Sequence, residues 1–399
     1  HDAIPDPLWS RGLGDVYKRQ YPGCDEKYSI DEINKLCIKC GRVLYARYDI
    51  EAVKKNMSKD DLIKRDPNMW RYFEMMPVKD PKNVICLGEG FTPIFKAENL
   101  GKVEGYSDLH IKDEGLNPTG SFKARGLSAA LSKAKELGIK KVTMPSAGNA
   151  AGAMAAYAAA GNLEAHVFMP NDAPIMNQKE STLAGASLNL IDGLINDAGR
   201  LSNEFADKEN LFDVSTLKEP YRQEGKKTMG YEIAEQFDWE LPDSIVYPTG
   251  GGTGIVGMWK AFDEMESLGW IGPKRPKMFT VQATGCAPIV KAFEENTQHA
   301  ELWENASTKA AGMRVPVAVG DYLILEALRE SGGGVAAIED EDMIENMKLI
   351  ASTQGILPAP EGAATYVGLN KLVSERKIDK EEKILLMNTG SVFKYFELM

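Results

Sequence analysis

Lys123 stands in the run Asn117-Pro118-Thr119-Gly120-Ser121-Phe122-Lys123-Ala124-Arg125-Gly126, just ahead of an amphipathic stretch from Leu127 to Leu137. A lysine held at a turn into a helix can shed its proton and act as a nucleophile. The helix start behind it favours an anion such as a phosphate or a carboxylate. An imine-forming amine and an anion cradle are two requirements of a pyridoxal 5′-phosphate (PLP) site. A lysine before a helix is also an ordinary solvated residue, so this run alone does not decide between the two.

A second run, Tyr247-Pro248-Thr249-Gly250-Gly251-Gly252-Thr253-Gly254, follows the β-branched pair Ile245-Val246 and precedes the apolar stretch Ile255 to Phe262. Strand, glycine-rich turn and helix in that order expose backbone N–H groups to a phosphate. The Gly-Lys-Ser/Thr ending of a P-loop is absent. Asn149 opens the helical stretch Ala150 to Gly161, where its side chain suits either a helix cap or a ligand contact.

These residues need elements to position them. Lys141 to Met144, Ala165 to Phe168, Ser187 to Ile191, Ile245 to Tyr247, Phe279 to Val281 and Lys383 to Met387 read as short buried strands. Helical stretches such as Thr228 to Phe237 and Ile255 to Glu266 separate them, and Ala52 to Met76 reads as a helical connector. Such alternation predicts parallel sheets covered by helices, an α/β fold.

The order and spacing of six segments resemble the threonine synthases, fold-type II PLP enzymes. They are Leu87-Gly88-Glu89-Gly90-Phe91-Thr92-Pro93, the Lys123 run, Ser146-Ala147-Gly148-Asn149, Tyr221-Arg222-Gln223-Glu224-Gly225-Lys226-Lys227-Thr228, the glycine loop, and Asn388-Thr389-Gly390. The resemblance implies a tryptophan synthase β-like fold. Two α/β domains with parallel-rich sheets would hold PLP in the cleft between them. A small α/β domain would span residues 127–221, and a large PLP domain with its helical connector would span 49–126 and 222–399.

The resemblance also implies roles. Lys123 would carry the cofactor as a Schiff base and shuttle protons. Asn149 would hold the 3′ oxygen of PLP. Gly250, Gly251, Gly252, Thr253 and Gly254 would cradle its phosphate, and Thr389 would meet its ring nitrogen, with Ser391 as a substitute. Ser146, Ala147 and Gly148 would hold the substrate carboxylate. Arg222 would grip the substrate's own phosphate in a bidentate way; alternatively it forms an ion pair with Glu219 or Glu224. The implied reaction is that of a carbon–oxygen lyase of threonine biosynthesis, which turns O-phospho-L-homoserine and water into L-threonine and phosphate. Ala124, Ala147, Ala150 and Ser391 depart from the family's usual polar residues. The alternative activity is therefore a threonine/serine dehydratase or a related PLP β-replacement enzyme.

Cys37-Ile38-Lys39-Cys40-Gly41 has the form of a zinc knuckle, with Cys24 upstream. A complete ribbon would place a fourth cysteine at position 21, where Tyr21 stands. Residues 21–48 thus read as a zinc-ribbon remnant with zinc as its candidate metal and Cys24, Cys37 and Cys40 as an incomplete ligand set. Residues 1–20 lack periodicity, resemble translated cloning adapter, and read as a non-native leader. Cys86 and Cys286 read as lone buried thiols.

Composition bounds the remaining possibilities. With 399 residues and a net charge of −11, the chain has ample length for a large core and little attraction for nucleic acid. No apolar stretch reaches the roughly 18 residues of a membrane span. A cytoplasmic homodimer without a membrane or nucleic-acid partner is expected.

Overall fold

The computed structural model describes Cys24, Glu26 and residues 27–399, together with the backbone of a strand at Leu13–Arg19. A six-stranded sheet runs in the order Gly334–Ile338, Lys277–Ala283, Ser244–Pro248, Lys383–Asn388, Asp108–Asp113, Ile94–Lys96. All its pairs are parallel except the last, where Ile94–Lys96 runs antiparallel along the edge. A second, four-stranded sheet is wholly parallel, in the order Ser187–Ile191, Glu164–Pro170, Lys141–Pro145, Phe212–Asp213. Every strand anticipated from sequence lies in one of these two sheets. Asp108–Asp113 and Gly334–Ile338 were not anticipated, the first because it mixes charged and apolar residues, the second because it is small and glycine-led.

Helix pairs carry the sheets toward each other. Gly126 on the helix Lys123–Glu136 and Gly225 on the helix Tyr221–Gln236 let the two backbones touch. A Cβ at Gly225 would lie 2.1 Å from the Arg125 carbonyl oxygen, and one at Gly126 would lie 3.0 Å from the Arg222 carbonyl oxygen. This contact ties Lys123 to the Tyr221–Gln236 helix. Arg125, two residues on, is fully buried in an ionic cluster. It donates to Glu114 at 2.6 Å and to Glu232, which also meets Lys112 at 3.0 Å.

Two expectations change. The connector from Ala52 to Met76 is not one helix but Ile50–Asn56, Lys59–Leu62 and a 3₁₀ segment Met69–Met75. Ser58 and Asp61 form a reciprocal capping box, and Asn68 caps the 3₁₀ turn, so capping side chains divide the stretch. Cys86 is exposed rather than buried, while Cys286 is buried. Cys86 precedes the Gly88 turn, where the chain turns outward with Leu87 and Gly88 also exposed. Within the expected leader 1–20, Leu13–Arg19 forms the middle strand of an antiparallel sheet with Lys27–Ser29 and Leu44–Tyr48. Backbone pairing to those two strands needs no side-chain periodicity, the signal whose lack set the segment apart. The rest of that leader and Tyr21 lie outside the described residues. Among the described residues, no helix is long and apolar enough to cross a membrane.

Candidate active site

A cavity of about 680 Å³ opens where the two parallel sheets meet. Its walls come from the carboxyl ends of their strands: Ser146 to Asn149 after Lys141–Pro145, Gly250 to Thr253 after Ser244–Pro248, and Thr389 after Lys383–Asn388. Parallel α/β sheets bind ligands at this position, because loops and helix starts converge there with unpaired N–H groups.

Lys123 is on the wall as the first residue of its helix. The turn before it places Thr119 at φ 63°, a left-handed conformation that a β-branched residue adopts only under constraint. Burial, joined by the Arg222 cation and opposed by Glu361, brings the Lys123 ammonium down to about 7. A large share of the amine is thus unprotonated at neutral pH and available as nucleophile and base. The amine stands 4.2 Å from the centre of the Phe122 ring, and Lys226 lies 3.9 Å from the same centre. Lys226 donates to the Phe122 carbonyl, and burial with the neighbouring Lys123 and Arg222 charges drives its own pKa well down. Two amines beside one ring hold no carboxylate between them.

Gly250, Gly251, Gly252 and Thr253 line the cavity, but their missing side chains serve different ends. A Cβ at Gly250 would strike the Gly312 carbonyl oxygen at 2.3 Å. Gly252 sits at φ 77° as the cap of the helix Thr253–Leu268, and a Cβ there would strike Ile324 at 2.1 Å. A Cβ at Gly251 would lie 3.0 Å from Thr216, another residue of the wall. Gly254 is behind the wall, where a Cβ would lie 1.9 Å from the Tyr247 hydroxyl. That hydroxyl is buried without a partner, on a residue that lines the cavity.

The Ser146 to Asn149 segment is also on the wall. The Ser146 hydroxyl and Gly148 are already engaged, the hydroxyl donating to the Gly148 carbonyl at 3.1 Å and accepting from the Gly148 N–H at 3.2 Å. An arriving carboxylate must exchange with this pair. Ala147 lines the opening without side-chain hydrogen-bonding groups. Asn149 begins the helix Asn149–Gly161, and its Oδ1 is buried without a partner.

Arg222 is not on the wall. It is 1% exposed in the first turn of Tyr221–Gln236, where it donates to the Val214 carbonyl at 2.8 Å. Its Nε has no partner, and burial lowers its pKa against the pull of Glu219 and Asp213. Its helix packs against the Lys123 helix at Gly225, which encloses the guanidinium. Basic side chains that do reach the wall are Arg200, Lys218 and Arg314. Sequence reasoning passed over them because they belong to no segment of the resemblance. It also passed over Glu361, a buried carboxyl on the wall that looks in sequence like an acidic residue in an ordinary helix start.

The cysteine cluster lies apart from the cavity. The sulfur atoms of Cys24, Cys37 and Cys40 fall within 4.8 Å of one another. The Tyr28 hydroxyl donates to Cys37 at 3.2 Å, and although burial opposes it, this bond and those from Cys40 and Lys39 bring the Cys37 thiol to about 7. Three converging sulfurs supply three corners of a tetrahedral zinc site.

The cavity residues suit PLP by their own features. An amine with its pKa brought to about 7, a glycine loop at a helix start, and Asn149, Tyr247 and Glu361, each with an unpartnered buried oxygen, all belong to one wall. Residues 85–390 match the family model for pyridoxal-phosphate dependent enzyme. The chain is 37% identical to the threonine synthase of Methanocaldococcus jannaschii over 92% of its length and 90% of that protein. It is 36% identical to the threonine synthase of Methanosarcina acetivorans over 93% of its length and 90% of that protein. Its fold is similar to that of maize serine racemase, with a TM-score of 0.65 at 22% identity, covering 75% of this chain and 88% of that one. It is likewise similar to diaminopropionate ammonia lyase from Escherichia coli, with a TM-score of 0.68 at 15% identity, covering 79% of this chain and 89% of that one.

Proposed function

The chain belongs to the pyridoxal-phosphate dependent enzymes and, among them, to the threonine synthases; on that premise we propose that it converts O-phospho-L-homoserine and water into L-threonine and phosphate, with Lys123 as its amine and base. The observation that carries the reading is the Lys123 amine, neutral near pH 7 on the wall of a cavity that ends in a glycine loop. The substrate rests on the relatives named threonine synthase.

When bound, PLP supplies an electron sink that makes the substrate's Cα and then Cβ protons removable. Lys123 Nζ would hold the cofactor, and when free its amine takes a proton from each of those carbons, returns one at Cα, and gives the other to the departing phosphate. Arg222 keeps that amine neutral from beneath. Its cation disfavours a second positive charge nearby, as the lowered pKa of Lys123 reflects. The N–H groups of Gly250 to Thr253 hold the cofactor phosphate at the start of a helix, where the dipole adds to their attraction. Asn149 would hold the ring oxygen, and Thr389 would meet the ring nitrogen with a neutral hydroxyl. Ser146, Ala147 and Gly148 take the substrate carboxylate after the Ser146 hydroxyl releases Gly148. Lys218 and Arg314 on the wall receive the substrate phosphate, with Arg222 contributing charge but no contact. In the small sheet at the amino end, Cys24, Cys37 and Cys40 hold zinc.

The test incubates the PLP-loaded protein separately with O-phospho-L-homoserine, L-threonine and L-serine. Phosphate and threonine should form from the first, and little keto acid from the others. Keto acid from threonine, with no phosphate from phosphohomoserine, would replace this reading by the dehydratase one.

A further inference from the structure

Glu361 is in the first turn of the helix Pro360–Ser374, which follows the segment that pairs with Ser391. Its side chain is 5% exposed and still lines the cavity. Two donors converge on a single oxygen: the Gly312 N–H, at 2.7 Å, and the Tyr395 hydroxyl both point at Oε1. The other oxygen, Oε2, is buried and has no hydrogen-bond partner. Among the described residues no lysine or arginine forms an ion pair with the group, in contrast to Glu114, Glu224, Glu232 and Glu264. The titratable groups that face it are Lys123 from its own helix and Tyr395 from the C-terminal turn. Arg314, on the same wall, turns instead to Asp172.

This asymmetry fixes where a proton can sit. Oε1 accepts two hydrogen bonds, so its lone pairs are taken. A proton on the carboxyl therefore belongs on Oε2, the oxygen that no protein group engages, on a residue of the cavity wall. An unpaired buried carboxylate is costly, and burial raises the pKa of Glu361 even though Tyr395, Gly312 and Lys123 oppose the rise. The side chain is thus built to exchange one proton at one atom.

We propose that Glu361 is a second proton-transfer residue of this cavity, working beside Lys123 through Oε2. The inference rests on the threonine synthase reading in one respect. That reaction moves protons at several substrate carbons and from an added water, and one amine cannot be acid and base in the same step. Glu361 Oε2 gives its proton toward the substrate's Cγ, where phosphate has left. The resulting carboxylate then takes a proton from the water whose oxygen bonds to Cβ. The proton given and the proton taken cancel over a turnover, and Glu361 ends as it began.

Glu361→Gln separates this role from that of a clamp on Gly312 and Tyr395. The amide oxygen still accepts from both donors, and the amide nitrogen offers an N–H where Oε2 carried its proton, but that hydrogen is not transferable. Phosphate release from O-phospho-L-homoserine should fall by about 10²–10⁴-fold, the usual contribution of a positioned acid–base group. The PLP dissociation constant at neutral pH should stay within about threefold of wild type if the neutral contacts persist. The pH dependence of PLP affinity, measured on the apo protein, should lose one inflection. Turnover within threefold of wild type, or an unchanged pH profile of PLP affinity, would overturn the proposal. A wild type that releases no phosphate would sink the synthase reading, while the affinity profile would still decide whether Glu361 exchanges a proton on occupancy. Should Glu361→Gln not fold, the protonated-carboxyl infrared band of the wild type decides. It should shift in D₂O and change when PLP is added, and an unaltered band overturns the proposal.

Discussion

Two buried ionic regions lie side by side in this molecule, and adjacent residues fall into opposite ones. Lys227 is paired with Glu224 and with Glu264, which Lys260 also meets, so each charge has an opposite neighbour. Lys226, the residue before it, faces Phe122, Lys123 and Arg222 and forms no ion pair among the described residues, with Glu114 acting on it only from a distance. Likewise Arg125 is locked between Glu114 and Glu232, while Lys123, two residues earlier, has no ion-pair partner. In the scaffold, partners hold Glu114 at about 2 against a burial penalty that would raise it. At the cavity wall, Lys123 is left unpaired and its pKa falls to about 7, and that of Lys226 beside it falls well down too. Burial is common to both regions; whether an opposite charge accompanies it decides whether the group holds the fold together or does chemistry.

The comparison can be broken most directly at Lys123. Lys123→Ala should abolish turnover and end borohydride trapping of the cofactor. It should leave the melting temperature of the apo protein no lower than wild type at pH 7, because the side chain makes no ion pair to lose. Trapping at another lysine would place the chemistry elsewhere.

The scaffold should respond in the opposite way. Glu232→Ala strips Arg125 and Lys112 of a partner inside the core, and breaking one side of a buried pair costs about 3–5 kcal/mol. Denaturant unfolding of the apo protein should show a loss of that order. A loss under ~1 kcal/mol, the range of surface pairs, would mean the network is wet.

The smallest expected effect sharpens the contrast. Arg222→Met removes the cation that helps lower Lys123, so the acid limb of the turnover profile should move to higher pH. The sign follows from the ammonium form: it is inactive, predominates below about 7 in the wild type, and would persist higher without Arg222. Arg222→Lys should keep the wild-type limb. If both variants leave the limb in place and instead raise KM for phosphohomoserine, Arg222 contacts the substrate despite its enclosure.

The chemistry of this protein was legible where local pattern sufficed. The Lys123 run, the strand–glycine–helix order around Gly250 to Gly254, and Asn149 at a helix start each carry their meaning within about ten residues, because turns, caps and strand alternation are local in origin. The parallel sheets followed from the same alternation. Only the tertiary structure decided which residues share the cavity and which lie behind it. Arg222 looked like a ligand in sequence, yet the close contact of Gly126 and Gly225 encloses it. Gly254 looked like a phosphate ligand but lies behind the wall, and the missing Cβ atoms of Gly252 and Gly254 make room for Ile324 and Tyr247. Glu361 looked like a helix start until Gly312 and Tyr395, 49 and 34 residues away in the chain, occupied one of its oxygens and left the other to the cavity. Chain order sets what a segment can become. Burial and charge pairing, which gather residues far apart in that order, set what each side chain is left free to do.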